Sequence, residues 1–197
     1  MRHYLFVLLI LTQLASCSLG GGSVPQDHYY RLPEIKLSAQ QTVFDRLVMK
    51  KIKASGLYHD RAILYVERDR PLELKRYHYN FWAETPAELL HTALTQGLES
   101  SSIATSVSQE VMQNTADYII DARILHFERI IQGTDVEINV ALDIRVRSTG
   151  SAGVEWSKTY QAKQQLNTTG MHASAEAFGA AVQLITAQFV ADLVVKK

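Results

Sequence analysis

The chain has 197 residues, 47% of them hydrophobic and 20% charged, with 20 basic residues balanced by 20 acidic ones. That apolar content supports a packed core and argues against disorder, and the length bounds the chain to one ordinary domain once a leader is removed. A balanced charge with no dense Lys/Arg run argues against a nucleic-acid binder; Lys50, Lys51 and Lys53 come nearest and read as a solvated face.

The N-terminus reads as a leader, residues 1–16. Arg2 supplies a thin positive region, and Tyr4 to Leu14 is almost wholly apolar. That run is far short of the roughly 20 apolar residues a spanning helix needs. It ends in Leu14-Ala15-Ser16-Cys17, which has the pattern of a bacterial lipobox and holds the single cysteine of the chain. Leu14, Ala15 and Ser16 mark the cleavage site, and Cys17 is the expected point of lipidation by diacylglycerol and palmitate. Acylation consumes a thiol that would be a liability in an oxidising periplasm. The lesser alternative is an ordinary secreted protein with a chance cysteine at its cleavage site.

Residues 17–27 are rich in Gly and Ser and form a tether that reaches on the order of 30 Å when stretched. Residues 28–197 are then expected to form a single domain. His28 to Leu32 predicts a short strand ended by Pro33, and Gln40 to Ser55 reads equally as strand or helix. Arg61 to Asp69 is apolar on both faces, as a central strand is. Leu72 to Trp82 alternates in part, with Tyr77, Tyr79 and Phe81 on one face and His78, Asn80 and Trp82 on the other. Thr85-Pro86-Ala87-Glu88 is a capping box with proline at the first helical position, followed by a stripe of Leu90, Ala93, Leu94, Gly97 and Leu98.

A short edge strand is expected over Ala104 to Gln109. Asp117 to Ile131 reads as a long strand in which Phe127 falls out of phase, so that a β-bulge near Leu125 is needed. Asp135 to Arg147 alternates cleanly: Val136, Ile138, Val140, Leu142, Ile144 and Val146 point one way, and charged or polar residues the other. Turns at Gln132-Gly133-Thr134 and Gly150 to Gly153 lead on to a strand over Val154 to Gln165. Ala173 to Val195 predicts the last helix, with Lys196 and Lys197 at the negative end of its dipole. The order predicts an α+β domain: a mostly antiparallel sheet with two helices packed on one face.

Two segments resemble a known family. Asp27-His28-Tyr29-Tyr30-Arg31-Leu32-Pro33, soon after a lipobox, resembles the opening of the ABC-type transport auxiliary lipoproteins, the PqiC-like, MCE-associated family. Tyr79 to Pro86, followed by Leu89, Leu90 and Leu94, is similar to that family's strand-to-helix segment; the position of Phe81 is often arginine there. Asp117-Tyr118, then Phe127-Glu128 and a turn at Gly133, is a looser match. The resemblance covers most of the mature domain and implies an accessory lipoprotein of a lipid transport system, whose substrates are phospholipids or related molecules. The implied partners are an MCE-family periplasmic protein and its inner-membrane ABC transporter. The implied location is the periplasmic face of the outer membrane, which Ser18 after the cysteine also favours in enteric-type sorting. No catalytic residues carry over.

The remaining motifs have plain readings. Gly20-Gly21-Gly22-Ser23 lacks the lysine of a phosphate loop, so ATP hydrolysis would belong to a partner. The scattered His28, His59, His78, His91, His126 and His172 form no metal-ligand motif. Asp117 with Asp121, and Asp135 with Glu137, fit a wet strand face as well as acid–base work. No serine-nucleophile signature is present. The chain therefore reads as a binding protein rather than an enzyme, without cofactor or metal, and a homo-oligomer fits if its partner is a ring. Tyr29 and Tyr30 are candidate partner contacts where the tether joins the domain, with an edge-strand role equally open; Trp82 reads as core. The competing expectation is an outer-membrane lipoprotein that activates or helps assemble another envelope machine, a cell-wall synthase or a secretion system.

Overall fold

A computed structural model of the chain describes residues 25–109, 116–150 and 155–195. It has an eight-stranded sheet, β1 (His28–Tyr30), β2 (Phe44–Met49), β3 (Ala62–Glu67), β4 (Leu74–Trp82), β5 (Ala104–Ser108), β6 (Tyr118–Gln132), β7 (Asp135–Ser148) and β8 (Glu155–Leu166). Helix α1 (Pro86–Ser100) follows β4, and α2 (Met171–Val195) follows β8. This is the α+β architecture expected.

β6 is the spine. One edge pairs antiparallel with β7 from Tyr118↔Ser148 to Gln132↔Asp135, and β7 pairs in turn with β8. The other edge is shared by two parallel strands, β2 at Leu47↔Tyr118 and β3 at Tyr65↔Arg129. The segment between them stays on that edge, through a bridge from Lys53 to Arg123 and a 3-10 turn at Gly56–His59. β3 then pairs antiparallel with β4, β4 parallel with β1, and β2 parallel with β5. The long ladders are antiparallel and the parallel ones are short.

The expected bulge is present: the β6–β7 register shifts between Ile124 and His126. It returns Phe127 to the buried face after Ile120, Ala122 and Ile124. Gly133, at φ +59, supplies the left-handed residue of the tight β6–β7 turn. The ambiguous stretch is β2, buried as Phe44, Leu47, Val48 and Met49 because it lies between β5 and β6 under α1. β4 departs from simple alternation. Ala62 pairs with Phe81 but Leu64 with Arg76, so extra residues are looped into β4, and Tyr77 and Trp82, of opposite parity, both reach the core.

α1 starts as the capping box dictates: the Glu88 amide donates to Thr85 Oγ1 at 3.4 Å, and the Thr85 amide donates to Glu88 Oε2 at 3.0 Å. α2 begins two residues earlier than expected and lays Phe178, Val182, Ile185, Phe189 and Leu193 against β7 and β8. By length and composition α2 could cross a membrane, but half of its most apolar window is buried inside the domain, as in a core helix. The two helices cross where Gly97 faces Thr186; a Cβ at residue 97 would collide with the Thr186 methyl group. Trp82, Phe127 and Phe178 form the centre of the core, with ring centroids 4.6–5.3 Å apart.

Candidate functional site

Cys17, the expected point of lipidation, and Leu14, Ala15 and Ser16, the expected cleavage residues, lie outside the described residues, as do residues 151–153 of the expected turn and Lys196-Lys197. The first described strand, β1, is three residues long and pairs Tyr29 with Phe81 and Tyr30 with Trp82. Tyr29 is 54% exposed; its ring stacks on Phe81 at 5.7 Å, with the Arg61 guanidinium 5.5 Å above it. Tyr30 turns inward, and its hydroxyl donates to Asn80 Oδ1 at 3.2 Å. The two tyrosines therefore have different environments, one a surface platform and one a half-buried anchor. Beyond them Pro33 lies against Gly179 of α2, where a Cβ would come within 2.5 Å of the proline ring. An open groove of about 570 Å³ runs between this corner and the first turn of α2, past His172 and Glu176.

A second groove, of about 530 Å³, occupies the sheet face opposite the helices. Lys50 and Lys53 line one side, Asp121 and Arg123 of β6 the floor, and Asp143, Arg145 and Arg147 of β7 the other side. Strand alternation puts them there: their neighbours Ile120, Ala122, Leu142, Ile144 and Val146 are buried on the covered face. Arg147 donates to Asp121 Oδ2 through Nη2 at 2.6 Å and Nε at 3.2 Å, and Lys50 stands 3.8 Å from the other oxygen. Arg123 Nε donates to Asp143 at 2.9 Å. Burial opposes ionisation of Asp121, but the Arg147 hydrogen bonds and the charges of Lys50 and Lys53 outweigh it and hold the carboxyl below its ordinary range. The lysines are far from the arginines in the chain, so the sequence alone showed only a solvated face; the polar phase of Arg145 and Arg147 was its one visible sign.

Between these regions lies a buried carboxylate. Glu128 is on the open face but almost wholly enclosed. It accepts from the Tyr58 hydroxyl at 2.6 Å, the Phe127 amide at 2.7 Å and Asn139 Nδ2 at 3.3 Å, and His126 Nδ1 lies 2.7 Å away. Burial, then the hydrogen bond to Glu128, pushes the Tyr58 hydroxyl well above its usual pKa. Three donors beside an acceptor-only carboxylate make a structural lock that closes the β6 edge at its bulge. Arg129, next in the chain, faces the core and donates to the Tyr77 hydroxyl at 2.5 Å and the Thr169 carbonyl at 2.8 Å, tying β6 to the start of α2.

The carboxylates weighed for acid–base work are kept apart. Asp117 accepts the amides of Asp45 and Arg46, at 3.1 and 2.8 Å, and so joins β2 to β6. Asp121 belongs to the basic groove. Glu137 accepts from Lys163 at 3.0 Å and Gln165 at 2.7 Å across the sheet. Among the described residues no three His, Cys, Asp or Glu side chains come together as a metal site.

A family model described as "ABC-type transport auxiliary lipoprotein component" matches residues 30–190. The fold is similar to that of protein XCC0632 from Xanthomonas campestris, of the family model DUF330, with 21% identity and a TM-score of 0.72 over 83% of this chain and 92% of that one. It is also similar to the structure of an uncharacterized protein, with 12% identity and a TM-score of 0.71 over 85% and 99% of the two chains. The hypothetical protein CT253 from Chlamydia trachomatis is more distant, with 11% identity and a TM-score of 0.53 over 77% and 96%. No curated protein matches.

Proposed function

Because the chain belongs to the ABC-type transport auxiliary lipoprotein family, we propose that it is the lipid-anchored docking subunit of a phospholipid transport system of the ABC/MCE type. In this reading the leader is removed after Ser16 and acyl chains on Cys17 hold the protein at the periplasmic face of the outer membrane. Residues 17–27 form the tether and residues 28–197 the docking domain. The domain holds an MCE-family periplasmic protein, and ATP is hydrolysed by that protein's ABC transporter.

The observation that carries the reading is the family match over residues 30–190, which starts just past the lipobox and tether. The first described strand begins at His28, which supports the domain boundary placed there. More than one acyl chain anchors stably where a single chain binds only marginally. Tyr29, an exposed aromatic platform on a short edge strand, suits contact with a partner near the anchor. Both grooves are open, the one on the bare sheet face being polar, and most of the apolar residues belong to one packed core.

The test is to extract the lipidated protein from membranes in mild detergent and identify what accompanies it by mass spectrometry. An MCE protein with ABC transporter subunits is the expected company. A cell-wall synthase or a secretion component in their place would replace the transport reading. Cys17→Ala is expected to release a folded domain from membranes and to abolish transport; transport that persists in that variant would sink the anchoring role.

A further inference from the structure

The sheet carries apolar side chains that its core does not use, and they gather at one end. β3 ends at Glu67, β4 starts at Leu74 and β6 ends at Gln132, so the β3–β4 and β6–β7 turns lie side by side there. Val66 pairs with Leu74 on one side and Ile130 on the other, which sets the three side chains on one face of the sheet. Strand alternation turns Arg129 inward, so Ile130 and its two neighbours are on the open face. All three are part-exposed, and none joins the core cluster or packs against it. Just beyond them Leu72 stands in the β3–β4 turn, 100% exposed. A single exposed leucine is ordinary; one that continues a strip of three further apolar side chains is a patch.

The course of the chain toward Cys17 selects what meets this end. β1 is parallel to β4, with His28 beside Asn80, so the chain before His28 leads back toward Leu74 and the patch. Eight residues, 17–24, separate Cys17 from Pro25 and reach at most about 29 Å. β6 alone is 15 residues long, roughly 50 Å, so a tether of that reach keeps this end nearer a bilayer that holds Cys17 than the far end. The charges fit a lipid surface. From Glu67 to Lys75 three acidic and three basic side chains cancel, so burial of apolar surface governs the approach. Arg68 and Arg70 are exposed in the same turn, Arg70 3.7 Å from Glu73, and their guanidinium forks match lipid phosphates.

We propose that this patch, Leu72 with Val66, Leu74 and Ile130, rests in the headgroup layer of the phospholipid membrane that holds the acyl chains, and so fixes which way the domain faces. The orientation rests on the lipid anchor at Cys17 proposed above. The opposite end of the sheet, where β2 pairs with the start of β6, then points away from the bilayer.

The test uses the purified full chain in vesicles of phosphatidylethanolamine and phosphatidylglycerol. An environment-sensitive fluorophore is placed on Glu73→Cys or, as a control, on Ser106→Cys of the remote strand β5. With Cys17 acylated, each variant carries one free thiol. Emission from residue 73 is expected to shift to the blue on reconstitution and to be quenched by nitroxide lipid, while emission from residue 106 stays as in water. Leu72→Asp should shift the insertion equilibrium by about tenfold or more toward the wet state, and Leu72→Phe should keep it. Leu72 is fully exposed, so neither change disturbs the core. Equal quenching at residues 73 and 106 would overturn the proposal and leave the patch to a protein partner. A blue shift without nitroxide quenching would mark contact between copies of the chain and overturn it as well. Intact mass spectrometry reads the acyl chains separately. A chain that carries none overturns the anchor and this orientation together, whereas a wet label on an acylated chain overturns the contact alone.

Discussion

On the covered face of the sheet, side chains meet through burial and dispersion; on the open face they meet through charge. The covered face carries Trp82, Phe127, Phe178 and the even-numbered aliphatics of β7, all within two helices' shelter. The open face carries Lys50, Arg123, Arg145 and Arg147 with their carboxylates, most of them wet. Exposed ion pairs stabilise by only about 0–1 kcal/mol each, whereas one buried aromatic contributes several times that. Stability therefore belongs mainly to the covered face.

Phe178→Ala is the harshest test of that division. It removes the ring packed against both Trp82 and Phe127 and is expected to cost about 3–5 kcal/mol, seen as a lower midpoint in urea denaturation. Glu128→Ala probes the place where the division fails, since Glu128 is on the open face yet enclosed. It strands the Tyr58 hydroxyl and Asn139 Nδ2 without their acceptor and should cost about 2–4 kcal/mol. A loss below about 1 kcal/mol would show that the lock is not needed.

Thr85→Ala is a smaller change, about 1 kcal/mol, and carries a pH signature. Its partner Glu88 is held below its ordinary pKa by the Thr85 side-chain and backbone hydrogen bonds. A depressed folded-state pKa adds stability that is present above the unfolded pKa and is lost as pH falls through the folded one. The gap between wild type and Thr85→Ala should therefore narrow as the solution is acidified below the normal glutamate range, in urea melts run at a series of pH values. Arg123→Gln is the mildest. Its pair with Asp143 is exposed on the arginine side, and stability should change by less than about 0.5 kcal/mol. A large loss there would make the open face part of the fold's foundation.

Much of the covered face was legible in the sequence because its signals are local. The capping box at Thr85, the phase slip that demands a bulge before Phe127, and the unbroken alternation of β7 each need only neighbouring residues. β2 was ambiguous because it is flanked on both edges and covered by α1, so its burial follows no simple period. β4 misled in part because its looped-out residues reset the phase between Tyr77 and Trp82. The parallel pairing of β1 with β4 joins residues some fifty positions apart and leaves no local trace. The basic groove was hidden for the same reason: its two lysines and three arginines come from three separate stretches of chain.

The double use of one β6 edge has a consequence for the order in which the chain is made. The meander of β6, β7 and β8 closes through short turns, and such near-neighbour contacts form fast. β2 and β3 are synthesised earlier, yet their parallel partner arrives some sixty to seventy residues later. β1, the first described strand, must wait for β4 to be fixed against that framework. A chain made from its N-terminus thus presents its first strand early and completes its pairing late. In that interval the strands still waiting for their partners are the natural clients of a holding chaperone.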